Sequence, residues 1–119
     1  MTAVNGVILL IAALHVYFLI LEMFFWTKPL GLKAFALKKD FAEASKALAA
    51  NQGLYNGFLA AGLFCGVFCP QADIGHAFKF FFLTCVAIAG IYGALTVSKK
   101  IFFVQALPAI IALAVLSFI

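Results

Sequence analysis

The chain has 119 residues, 67% of them hydrophobic and only 10% charged, with a mean hydropathy of +1.20 and a net charge of +4. A soluble domain of this size needs far more charge to cover its surface, so the composition names a bilayer as the solvent and leaves no room for a separate soluble domain. The positive charge sits in loops between apolar runs, which is a membrane-topology signal and gives no reason to expect a nucleic-acid partner.

A crossing helix takes about 20 apolar residues, so a chain this short holds at most four. The sequence predicts an all-α polytopic membrane protein, a single domain whose spans cover roughly 3–26, 53–70, 77–97 and 101–119. The runs are continuously apolar and do not alternate, which argues against barrel strands. The first carries Glu22 and Trp26 and lacks a basic leader and a small-residue cleavage site, so it reads as a span and not as a signal peptide.

Pro29 and Gly31 mark the exit from the first span. Ala34, Leu37, Phe41, Ala44 and Leu48 then recur at spacings of three and four, one helical face, with Lys39, Glu43 and Lys46 opposite. This predicts an amphipathic helix between spans one and two, lying in the membrane interface or extending the second span into the cytosol. Lys28, Lys33, Lys38, Lys39 and Lys46 lie in that connection, and Lys99 and Lys100 between spans three and four. Only Lys79 falls on the other side. The positive-inside rule then places both lysine-rich loops in the cytoplasm and both termini outside.

Depth gathers the polar residues. On the first helix His15, Glu22 and Trp26 stand at i, i+7 and i+11, within an arc of about 40°. Glu22 lies about one turn inside the cytoplasmic surface, and His15 about 10 Å higher at 1.5 Å per residue. The second span enters from the same surface through "NQGLYN", placing Asn51, Gln52, Tyr55 and Asn56 at the level of Glu22. Tyr92 on the third helix and Gln105 on the fourth return to that leaflet, and Pro108 frees the carbonyl of Val104 beside Gln105. An ionisable side chain costs roughly 2.5–3.5 kcal/mol at the centre of a span, so these nine residues form a candidate ligand pocket open to the cytoplasm.

Cys65 and Cys69 are one turn apart, and Cys85 stands alone. A metal site takes three or four ligands, so no metal or other cofactor is expected. Gly53/Gly57 and Gly62/Gly66 are small-residue pairs that allow a helix to approach closely, and they are candidate contacts for homo-oligomers or for packing within one chain.

His15, Glu22 and Trp26 followed by "AANQGLYNGFLAAGL" resemble the family of small bacterial membrane proteins called domain of unknown function 1304, over nearly the whole chain. The matching residues are His15, Glu22, Trp26, Asn51, Gln52, Gly53, Tyr55 and Asn56. The resemblance implies four helices in a bacterial membrane and brings no activity with it. A looser likeness to the membrane-associated glutathione and eicosanoid enzymes founders on the lack of arginine and on Leu54. Small four-helix multidrug exporters also carry a glutamate in the first span, but they insert both ways, against the seven-to-one lysine bias here. The expected function is binding of a small or lipid-soluble molecule. The alternatives are a proton-coupled transporter using Glu22 and His15, or a structural or accessory subunit.

Overall fold

The computed structural model describes residues 2–119. Its helices are α1 (Ala3–Phe24), α2 (Pro29–Ala34), α3 (Lys39–Phe68), α4 (Ala72–Thr96) and α5 (Leu107–Ser117), with a π-helical turn, Phe102–Ala106, leading into α5. The described residues are all-α. Ala3–Phe24 and Ala72–Thr96 are long and apolar enough to cross a membrane, and Phe102–Ser117 is apolar but shorter. α3 differs from these because its first turns carry Lys39, Asp40, Glu43 and Lys46 and because Asn51, Gln52 and Asn56 dilute the apolar half.

Of the two forms expected for the amphipathic segment, a separate interfacial helix or an extension of the helix that follows, the chain takes the second: Lys39–Phe68 is one unbroken helix of 30 residues. No proline interrupts it, and the change from lysine-rich to apolar sequence leaves the backbone helical throughout. The expected apolar face also divides: Ala34 belongs to α2, and Leu37 follows Ala36, whose φ of 53° breaks the helix. Up to Phe58, the buried side of α3 is instead made of Ala42, Ala49, Gly53 and Asn56, while Phe41, Ala44 and Leu48 are exposed. Small side chains let a neighbour come close, so the large ones are left outside.

The chain falls into two compact units. One runs to Ala12 and resumes at Leu59–Ile119; the other is Ala13–Phe58. In the first, the core is Ile8, Leu63, Leu83, Val86 and Leu116. Gly66 faces the backbone of Lys79 and Gly75, Gly62 lies under the Phe82 ring, and Gly90 abuts Ala106, where an added Cβ would stand 2.5 Å from the backbone nitrogen. Lys79 Nζ donates to Asn5 Oδ1 at 3.1 Å.

Pro108 explains the π-helical turn. It has no N–H for the carbonyl four residues back, and its ring crowds that carbonyl. Widening the preceding turn relieves the clash: the Leu107 N–H reaches five residues back, to the Phe102 carbonyl.

In the second unit Gly53 fits against α1, where a Cβ would meet Met23 Cγ at 2.7 Å, Glu22 Cβ at 3.1 Å and the Leu19 carbonyl at 3.2 Å. Gly57 faces Leu19 in the same way. The four glycines considered for contact between copies are therefore occupied within the chain.

Candidate functional site

The second unit holds a buried polar pair between α1 and α3. Leu21 and Glu22 lie on the inner face of α1, and Gly53 opposite Glu22 brings the two helices close enough for Asn56, one turn further along α3, to meet the carboxyl. Asn56 Nδ2 donates to Glu22 Oε1 at 2.5 Å. Glu22 is 9% exposed and Asn56 7%. The partner of this acid is thus a neutral amide, which orients the carboxyl and brings no opposite charge to it.

His15, two turns along α1 from Glu22, is fully buried, with its ring edge-on to Phe18 at 5.7 Å. Trp26 closes the other end. Its Nε1 donates to Ser45 Oγ at 3.0 Å, Ser45 Oγ donates to the Phe41 carbonyl at 2.7 Å, and the indole packs on Phe35 at 5.1 Å. Below it, Gly31 presses on the Phe25 carbonyl, where any side chain would collide. The unit therefore carries its polar groups in line: Ser45 with Trp26, then Asn56 with Glu22, then His15.

The structure brings together only part of the expected pocket. Glu22 and Asn56 meet, with His15 and Trp26 in the same unit. Asn51, Gln52 and Tyr55 are at the right height but turn outward and are exposed. On a helix, Tyr55 lies about 100° and Asn51 about 140° around from Asn56, so a face that buries Asn56 against α1 cannot also bury them. Tyr92 and Gln105 belong to the other unit, where Tyr92 is exposed and Gln105 half-buried.

Ser45 was missed among the candidates. Its signal was present: Ala42, Ser45, Ala49, Gly53 and Asn56 recur at spacings of three and four, a run of small and polar residues that marks where a helix is approached. Among the described residues no three His, Cys, Asp or Glu side chains gather as metal ligands. A groove of about 250 Å³ lies elsewhere, on α4, lined by Ala77, Phe78, Phe81 and Phe82.

Residues 9–117 match the family described as protein of unknown function (DUF1304), and the chain belongs to that family. It is 31% identical over 116 residues to a protein described as uncharacterized protein YpaA from Lactococcus lactis subsp. lactis (strain IL1403), a match covering 95% of this chain and 96% of that one. No solved structure matches.

Proposed function

We propose that the chain is a polytopic protein of the bacterial cytoplasmic membrane, crossing four times with both termini outside. In this reading the Glu22–Asn56 pair recognises a small polar or amphiphilic molecule that enters from the cytoplasmic leaflet. The membrane part rests on apolar surface. In the most apolar stretch of α1 only 33% of residues are buried, and in that of α4 only 22%, whereas a core helix of a soluble protein would be mostly buried. Phe24, Phe68, Phe81, Ile88, Leu95 and Phe103 all face outward.

The ligand part rests on one observation: Glu22 is buried against an amide, and among the described residues no cation is paired with it. An acid in an apolar setting is costly unless something neutralises it. A ligand bearing a proton or a positive charge supplies that neutralisation, which favours small lipid-soluble amines over acids. The test is thermal unfolding of the purified protein with a set of such amines. A stabilisation seen in the native protein and lost in Glu22→Gln, with helical content unchanged, supports the reading; equal responses in both refute it. A cysteine placed at Thr2 should label from outside the cell, and labelling only from the cytoplasm overturns the topology.

A second reading has its own support, since His15 is buried on the helix that carries Glu22. A carboxyl and an imidazole two turns apart suit proton-coupled transport. Proton-linked flux in vesicles that Glu22→Gln abolishes would favour it over simple binding. An accessory subunit would show neither binding nor flux and would co-purify with a partner.

A further inference from the structure

We infer that α3 pairs with α3 of a second copy of this chain, in parallel, through a seam running from Phe41 to Phe58. The proposal starts from a pattern on the exposed side of the helix. Phe41, Leu48 and Tyr55 are seven residues apart, and Ala44, Asn51 and Phe58 follow each of them by three. These are the two core positions of a heptad, the 3.5-residue period that lets two helices interlock side chains along a common line. All six residues are exposed: Phe41 by 58%, Leu48 by 76%, Tyr55 by 51% and Phe58 by 55%, with Ala44 and Asn51 between them. The neighbouring faces have other uses. Ala42, Ala49, Gly53 and Asn56 are buried, and Lys39, Glu43 and Lys46 stand on the far side, so no charge occupies a core position of the seam.

The pattern selects its occupant. The seam begins among lysines, where water and headgroups surround the helix, and ends at Tyr55 and Phe58 in the apolar half. Acyl chains could cover the second part but not Phe41 and Leu48. A helix with the same transition at the same height covers both, and a second copy has that transition by construction. Asn51 marks the crossing point. A side-chain amide both donates and accepts, so two Asn51 residues facing each other across a two-fold axis satisfy one another and fix the register. Copies inserted with one topology can match these residues only in parallel. The four large side chains with their flanks would bury on the order of 500 Å² per copy, about 1,000 Å² in total, which reaches the lower bound of a specific interface. This inference is independent of any ligand at Glu22, and it gives Asn51 and Tyr55 a role that the buried pair does not.

Single cysteines test it, in full-length protein whose Cys65, Cys69 and Cys85 have been changed to serine. Mild oxidation in native membranes should crosslink Ala44→Cys, Leu48→Cys, Asn51→Cys and Tyr55→Cys to dimers several-fold more than Glu43→Cys, Lys46→Cys or Ala50→Cys. Leu48→Lys, on the face away from α1, should shift the detergent-solubilised protein from dimer to monomer without loss of helical signal. Crosslinking that is absent, lacks the three–four rhythm or peaks at 43, 46 and 50 overturns the inference. So does a product whose mass reveals a different protein, or a spin label at position 48 quenched by lipid-borne reagents.

Discussion

Replacing Asn56 with alanine removes the only side-chain hydrogen bond described for Glu22, a contact of 2.5 Å between two residues under 10% exposed. The carboxyl then stays buried without its donor. Stranding a buried polar group costs about 1–3 kcal/mol, more when it is charged, and the lost amide atoms add a small cavity. We therefore expect Asn56→Ala to lower stability by roughly 2–4 kcal/mol. Glu22→Gln keeps an oxygen to accept from Asn56 and should cost under about 1 kcal/mol. The informative variant is the double change Glu22→Leu with Asn56→Leu, which removes donor and acceptor together. Apolar replacement of both partners is nearly neutral when the shapes suit, so the double variant should be more stable than Asn56→Ala alone. Thermal unfolding in one detergent, followed by circular dichroism, reads all three. At about 3–5 °C per kcal/mol for a chain of this size, Asn56→Ala should melt roughly 6–20 °C early. Equal losses from Glu22→Gln and Asn56→Ala, or a double variant less stable than Asn56→Ala, would refute the reasoning. Both results would mean that the two residues are stabilised by something other than each other.

Other consequences are as direct. Gly90→Ala places a methyl 2.5 Å from the Ala106 nitrogen, a backbone atom that cannot turn aside, and should destabilise by about 1–3 kcal/mol. Gly6→Ala, with nothing within 4 Å, should be neutral or stabilising by up to about 1 kcal/mol, and the contrast in melting temperature checks both. Ala36→Gly relieves a positive φ of 53° and should raise stability by about 1 kcal/mol in the same assay. Trp26→Phe keeps an aromatic ring near Phe35 but loses the 3.0 Å bond to Ser45, for about 0.5–1.5 kcal/mol, and Ser45→Ala in that background should then add little.

Glu22 meeting Asn56 was legible because depth is legible: counting residues from a shared end of two antiparallel helices places groups at one height. Azimuth is a separate quantity. Asn51, Gln52, Tyr55 and Asn56 share a level, and which of them faces α1 is decided by which side of α3 is narrow enough for close contact. The small residues at 42, 45, 49 and 53 carry that information. Hydropathy conceals it, because Phe41, Ala44 and Leu48 make a more conspicuous face and yet stay outside. The junction at Gln52 looked like a boundary because side-chain polarity changes there, but a helix is held by its backbone, and only Ala36 upstream interrupts that. Pro108 announced a disturbed carbonyl; the widened turn at Phe102–Ala106 is the backbone's answer and has no residue signature of its own. Gly53 and Gly57 were readable as points of close approach, while the identity of the approaching helix, α1 of the same chain, was not.

The continuity of α3 gives the molecule a mechanical property. From Gly53, where α1 bears on it, the helix extends 14 residues, about 21 Å, to Lys39, but only about 4.5 Å to Asn56. Ala42, Ala49 and the Trp26–Ser45 bond seat the long arm at three further points, so the rod that carries the lysines also carries Asn56, and no joint in its backbone separates the two.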